Sequence, residues 1–291
     1  MINKNFLFAL MIFLMCLMCI DSKAQTENTK VPDEMVGIPV IYETDMTLDV
    51  DDVGGLAVLH ALQTEKKVTL LGVSFNEVHP CGPAVIDAIN TWYNRGTIPI
   101  GIYQKKLADP DPSDYYSLER DFDVDNMAHD PMDNIVGNAV GIYKYLLGSQ
   151  PDKSVIIVSV GFLNNLHDLL KDKEGYALVE KKVKLLVAMG GLNNDGFNFT
   201  RHNLVEQTQY VIENWPGTLV TTHVGGDMIT GETLTSTTPM NNPVRRAYEL
   251  EWEQGPNIGR CSWDQVAVLY AVYGTQYYEE DWDGSGSLRN G

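Results

Sequence analysis

Short apolar runs rich in Val, Ile and Leu alternate with segments of helical periodicity along most of this chain. The strand candidates are Pro39–Tyr42, Thr69–Ser74, Ile98–Ile102, Val155–Val160, Lys184–Met189 and Thr218–Thr222. The helix candidates are Val53–Gln63, Ala84–Tyr93, Ile135–Leu147, Asn164–Lys171, Val205–Asn214, Val244–Glu253 and Gln265–Tyr273. A strand without a polar face must be covered on both sides. The alternation therefore predicts an α/β fold: an open, mostly parallel, doubly wound sheet with helices on both faces.

The 291 residues suit one large domain over residues 37–291, preceded by two processing or linker segments. Lys4 and the apolar run Phe6 to Ile20 read as a secretory signal, with Ser22-Lys23-Ala24 as its cleavage site. Residues 25–36 form a polar leader, expected to be disordered. Cleavage after Ala24 implies a secreted or periplasmic protein with no membrane contact afterwards. Cys16 and Cys19 fall inside the signal, and a lipoprotein would use one of them. The mature chain keeps Cys81 and Cys261, which an oxidising compartment would allow to pair. The net charge of −18 argues against nucleic-acid partners and suits a handler of neutral or cationic small molecules. Asp109 to Asp130 is an acidic excursion, either a lid or a solvated insertion.

At the first strand-to-helix switch, Asp45, Asp49, Asp51 and Asp52 fall within eight residues. Helix capping accounts for one or two acids at such a place. Four repel one another and resist desolvation unless a cation lies among them. Hard ions such as Ca²⁺ or Mg²⁺ take oxygen ligands of this kind, and strand-to-helix switches are common places for chemistry in open α/β sheets. An EF-hand is excluded: counting from Asp49, Val53 and His60 stand where ligands are needed. Asp49-Val50-Asp51-Asp52-Val53 also satisfies the D-x-D-x-[TV] pattern of haloacid-dehalogenase-like phosphatases. That family needs its first Asp at the very end of a strand, and it needs a downstream acidic pair that this chain lacks.

Glu43-Thr44-Asp45-Met46-Thr47-Leu48-Asp49-Val50-Asp51-Asp52 resembles the opening signature of the inosine–uridine-preferring nucleoside hydrolase family, in its longer form D-T-D-M-G-N-D-V-D-D. Four further blocks follow in the family's order. Leu71-Gly72-Val73-Ser74 leads to Asp87-Ala88-Ile89-Asn90-Thr91-Trp92-Tyr93. Val160-Gly161-Phe162-Leu163-Asn164-Asn165-Leu166 resembles T-G-P-L-T-N-I. Met189-Gly190-Gly191 leads to Phe197-Asn198-Phe199. Ser262-Trp263-Asp264-Gln265-Val266-Ala267-Val268 resembles the block whose Asp completes a metal site.

The resemblance implies a Rossmann-like core and a hydrolase that cleaves the N-glycosidic bond of ribonucleosides or related N-ribosides through a Ca²⁺-bound water, in purine and pyrimidine salvage. It implies that Asp45 touches the metal and acts as general base. Asp52, the Val160 carbonyl and Asp264 would complete the metal shell. Asp51 and Asn198 would hold the sugar, and Trp263 would stack on the base. Asp49, in the two-residue insertion, would cap the helix. The partner would be a small-molecule nucleoside, and a homo-oligomer is compatible with the family. Three departures bear on turnover: Trp263 stands where relatives carry a His, Gly196 where they carry a Glu, and Thr47 where they carry a Gly. A relative that binds ribosides without turning them over is the alternative, and a phosphatase a more distant one. Among the histidines, His79 and His202 follow strand-like segments, as pocket residues or as solvated loop residues; Asn76 follows the second strand and is a further candidate for the site.

Overall fold

The computed structural model describes residues 37–46, 49–108, 136–191, 196–250 and 257–280. The signal, the leader and the acidic excursion lie outside the described residues. Seven strands form one sheet: β1 (Ile38–Thr44), β2 (Val68–Phe75), β3 (Ile100–Ile102), β4 (Val136–Asn138), β5 (Val155–Ser159), β6 (Val183–Met189) and β7 (Thr218–Thr222). Their order is β4-β3-β2-β1-β5-β6-β7, and every pairing is parallel. The chain winds outward from β1 to one edge and then returns to start again at β5. The β1/β5 boundary, where Glu43 pairs with Ser159, is thus the topological switch point, the usual ligand crevice of an open sheet.

Successive residues of β1 feed opposite cores, as the two-residue period of a strand requires. Val40 and Tyr42 join one buried cluster with Leu56, Leu59, Ile86, Ala267 and Val268. Ile41 joins the other with Leu147, Ile157, Leu166, Leu169 and Val211. The first face is covered by α1 (Asp51–Thr64), α2 (Gly82–Trp92) and, much later in the chain, by α8 (Pro243–Leu250) and α9 (Trp263–Tyr273). The second face is covered by α3 (Ala139–Gly148), α4 (Asn164–Lys171), α5 (Lys173–Lys182) and α6 (Val205–Asn214). A short α7 (Leu234–Thr237) and an antiparallel pair, β8 (Ile229–Thr230) with β9 (Arg260–Cys261), lead back toward α9. Among the described residues no helix is long and apolar enough to cross a membrane.

Several boundaries differ from expectation, and each has a local cause. The helix expected over Ile135–Leu147 begins only at Ala139. Val136–Asn138 pair with β3 instead, and the Asn138 side chain accepts from the Gly141 N–H at 3.2 Å as an N-cap. Helix α5 was not anticipated, although Asp172 caps it through the Gly175 N–H at 2.7 Å and Lys181 and Lys182 close its last turn. Both α1 and α9 start earlier than apolar periodicity suggested, so Asp51, Asp52 and Asp264 lie inside first helical turns. Negative charge is favoured there by the helix dipole.

Helices α1 and α9 approach closely because α1 carries adjacent glycines. A Cβ on Gly54 would lie 2.2 Å from Gln265 Nε2, and one on Gly55 would lie 2.4 Å from the Tyr42 hydroxyl. Farther along α1, His60 is fully buried, stacked on Tyr93 with ring centroids 4.5 Å apart. Its Nε2 lies 2.9 Å from Asn90 Oδ1, and Arg95 NH1 lies 3.2 Å from its Nδ1. Burial lowers its pKa from 6.5 to about 4, and the Arg95 charge acts the same way.

His60 therefore stays neutral in the folded chain at pH values where the unfolded chain binds a proton. Its contribution is intact above pH 6.5 and is lost as the pH falls toward 4. Urea unfolding should show a loss of up to about 3 kcal/mol across that window from this residue. His60→Gln should flatten that part of the pH profile; an unchanged slope would remove His60 as its cause.

Candidate metal and active site

The signature loop leaves β1 at Thr44 and turns sharply. Met46 has a φ of 29°, a conformation L side chains seldom adopt. The turn directs its N–H back to Asp52 Oδ1 at 3.2 Å. The Thr44 hydroxyl donates to the same oxygen, and the Tyr42 hydroxyl donates to the Asp52 backbone carbonyl at 2.9 Å. Asp52 is thereby held by three residues from its own segment. From the other end of the chain, the first turn of α9 delivers Asp264, whose N–H donates to Asp51 Oδ2 at 3.3 Å.

One carboxylate oxygen each from Asp51, Asp52 and Asp264 lies within 4.8 Å of the others, and all three residues are buried. Burial, then the repulsion of neighbouring carboxylates, raises their pKa values well above the usual carboxylate range. Asp49 and Asp52 act on Asp51, Asp45 and Asp49 act on Asp52, and Asp51, Asp52, Asp45 and Asp49 act on Asp264. An all-oxygen donor set with unrelieved negative charge suits a hard divalent cation. The cluster can hold a metal, and its chemistry fits one.

A cavity of about 250 Å³ opens on this cluster. Asp45, Asp49, Val160, Asn198 and Trp263 line it, together with Asp51, Asp52 and Asp264. Every site residue expected from the sequence therefore meets in one place, at the carboxyl ends of β1 and β5. The internal arrangement differs from expectation in one respect. Asp51, assigned to the sugar, sits in the tight carboxylate trio, whereas Asp45 borders the cavity outside that trio. The Asn198 side-chain amide donates to the Val160 carbonyl at 2.8 Å and to the Met189 carbonyl at 3.2 Å. It bridges the ends of β5 and β6 and orients the expected carbonyl ligand. Gly161 must be small, since a Cβ there would lie 2.6 Å from the Asp45 backbone nitrogen and 2.7 Å from Asp45 Oδ1.

Asp49 does not cap α1. Val50 occupies the cap position with no side-chain bond, and Asp49 pairs instead with Arg260 of β9. Arg260 Nε reaches the two carboxylate oxygens at 2.9 and 3.1 Å. Asp49 also stands beyond the end of β1 at Thr44, not at the strand terminus where a dehalogenase-type nucleophile belongs. Arg260 was missed in the sequence, because its partner lies 211 positions away. His223, at the exit of β7, lines the cavity. His79 and His202 do not line it: His79 Nδ1 accepts from the Cys81 N–H at 3.1 Å, and His202 sits edge-on to Phe162. Cys81 and Cys261 form no disulfide with one another, and Cys261 Sγ lies 3.1 Å from the Gly226 carbonyl.

Beneath the site lies a polar network that sequence reading caught only at Asn76. Glu43 is fully buried on β1. It accepts from the Tyr143 hydroxyl and from Asn76 Nδ2 at 3.3 Å. Burial pushes its carboxyl up to about 8 despite these hydrogen bonds. Asn76 Nδ2 also donates to the Phe162 carbonyl at 2.8 Å, and Asn165 Nδ2 donates to Ser74 Oγ and to the Phe75 carbonyl, each at 3.1 Å. These bonds tie the ends of β1 and β2 to the loop after β5.

The raised carboxyls bind protons in the folded state that the unfolded chain releases. Without a divalent ion, stability should fall as the pH rises above the ordinary Asp value of 3.8. Added Ca²⁺ should raise Tm, and by more at pH 8 than at pH 5, because bound cation requires the ionised form. A pH-independent shift, or none, would remove the cation from the trio. Asp52→Asn should weaken Ca²⁺ binding by about tenfold or more, equivalent to about 1.4 kcal/mol. Gly161→Ala should displace Asp45 with less effect on cation affinity than Asp52→Asn, as calorimetry on the two variants would show.

No protein-family model and no curated protein matches this sequence. Solved structures do match in shape. The type III effector protein XopQ, in complex with adenosine diphosphate ribose, superposes with a TM-score of 0.60 at 15% identity, covering 82% of each chain. An inosine-uridine preferring nucleoside hydrolase from Bacillus anthracis gives a TM-score of 0.55 at 17% identity, over 80% of this chain and 81% of its own. An inosine-guanosine nucleoside hydrolase gives 0.56 at 18% identity, over 80% and 78%. This chain thus shares its fold with these nucleoside hydrolases and with this effector protein.

Proposed function

We propose that this chain belongs to the nucleoside hydrolases and is a cation-dependent hydrolase of N-glycosidic bonds, acting on ribonucleosides or related N-ribosides in purine and pyrimidine salvage. The observation that carries the reading is the meeting of Asp45, Asp51, Asp52, Asp264, Asn198 and the Val160 carbonyl around one cavity at the sheet's switch point. Dispersed acids would have supported capping alone.

The chemistry follows from the donor set. Loss of a base from C1′ of ribose passes through an oxocarbenium-like state. A hard divalent cation, expected to be Ca²⁺, would when bound supply positive charge beside the attacking water and the sugar hydroxyls. Asp45 takes the proton of the attacking water as general base. Asp52, Asp264 and the Val160 carbonyl are the expected cation ligands. The proximity of Asp51 to this group supports a double role, at the cation and at the sugar hydroxyls. Asn198 orients the Val160 carbonyl and faces the sugar. Trp263 offers a flat apolar surface to the base. The cavity fixes ribose and water relative to one another, which reduces the entropic part of the barrier.

The second reading is a riboside-binding relative without turnover. It is favoured by Trp263, which stands where an acid would protonate the leaving base and which donates no proton usefully. The two readings predict the same affinity and different rates. For export we propose cleavage after Ala24 and a secreted or periplasmic mature chain, which mass analysis of the processed N-terminus would establish.

A reducing-sugar assay over a nucleoside panel, with and without EDTA, tests catalysis. Ribose release is expected, abolished by EDTA and restored by Ca²⁺. Asp45→Asn is expected to lower kcat about 100-fold or more while retaining the cation-dependent rise in Tm. Tight nucleoside binding in calorimetry with no release from any substrate would establish the second reading instead.

A further inference from the structure

The reading above gives no part to Arg260 or to its partner Asp49, both of which line the cavity. Arg260 is the only Lys or Arg among the described residues that line it. Two observations show that its guanidinium is held in place. It is paired with Asp49 through Nε and NH2, with both side chains largely withdrawn from solvent at 20% and 24% exposure. It also lies against the Trp263 ring, 5.3 Å from the centroid, within the range of a cation–π contact. The same cavity wall thus carries an aromatic face and a fork of N–H donors, with exposed Phe197 as a second aromatic at the lining.

Resting on the nucleoside-hydrolase reading, we propose that Arg260 reads the leaving base and selects purines that present a 6-oxo group. A guanidinium donates hydrogen bonds and accepts none. The Nε/NH2 edge faces Asp49, so a base would meet the NH1/NH2 end of the guanidinium; the O6/N7 edge of a 6-oxopurine is a pair of acceptors matched to that end, whereas the 6-amino edge of adenine places a donor beside N7. A base stacked on Trp263 beside the guanidinium, which stands over the same ring, would bring its edge to Arg260. The same contact serves departure. As the C1′–N9 bond breaks, its electron pair passes to the base and spreads onto N7 and O6. Arg260 stabilises that charge, the water oxygen bonds to C1′, and Asp45 receives the water proton. The base then takes its own proton from solvent. Arg260 accordingly substitutes for the general acid that Trp263 cannot be. Asp49, in the two-residue insertion of the signature loop, is a positioning residue that aims Arg260.

The test compares kcat/KM for inosine and adenosine in the Ca²⁺-loaded protein and its Arg260→Gln and Arg260→Lys variants, with binding of the same nucleosides by calorimetry. Wild type should prefer inosine by about tenfold to a hundredfold. Arg260→Gln should bring the ratio close to unity, chiefly through a fall in kcat for inosine, and Arg260→Lys should restore only part of it because a single ammonium cannot form the fork. A Ca²⁺-dependent rise in Tm equal to that of wild type shows that the variants fold and load. An equal or reversed preference in wild type, or an unchanged ratio in Arg260→Gln, would overturn this role and leave the hydrolase reading standing. Wild-type protein that neither binds nor cleaves any nucleoside would overturn both.

Discussion

Carboxylates are expensive to bury and more so to bury together, and the fold is arranged around the place where it does both. Asp51 and Asp52 open α1, Asp264 opens the first turn of α9, and the two helix N-termini meet. The helix dipoles and a handful of hydrogen bonds from Tyr42, Thr44, Met46 and the Asp264 N–H offset part of the repulsion. What they leave suits relief by a positive charge, and the all-oxygen donor set fits a divalent cation. The parts of the chain that bring the helices together, above all Gly54 and Gly55 against Gln265 and Tyr42, are therefore as much a part of the site as the acids.

Around that centre the structure layers support. Asn198 bridges the ends of β5 and β6 through two backbone carbonyls. Glu43, Tyr143, Asn76 and Asn165 knit β1, β2 and the loop after β5 from below. Gly161 clears space for Asp45. These contacts fix groups that face the cavity through the backbone beneath them, which is how a site on loops acquires the rigidity of the sheet.

Much of this was legible in the residues, and the misses share a cause. The six strands named from apolar runs all exist, and α4 and α6 have the expected bounds, because burial on both faces demands continuous apolar sequence. The three residues of β4 carry no such signal. Val136-Gly137-Asn138 becomes a strand only because β3 offers it an edge, and the helical pattern around it concealed the Asn138 cap. Helix α1 starts two residues before its apolar periodicity for a different reason, since charged residues interrupt that periodicity where the dipole favours them. Asp45, Asp51, Asp52, Val160, Asn198, Trp263 and Asp264 could be grouped from their motifs. Arg260 and His223 could not, because nothing in their neighbouring residues distinguishes them, and Glu43, although it opens the signature, shows its buried partners Tyr143 and Asn76 only in the fold.

The amino-acid sequence by itself determined the alternation that makes a doubly wound sheet and the concentration of acid at its first switch. Both are local properties: periodicity within a dozen residues and charge within eight. Only the tertiary structure decided which acids face one another. Asp51 joined the trio, Asp45 bordered it, and Asp49 turned away to a cation 211 positions later. A carboxylate's role depends on the charges within a few ångströms of it in space, and separation along the chain carries no information about those once helices from its two ends are packed side by side.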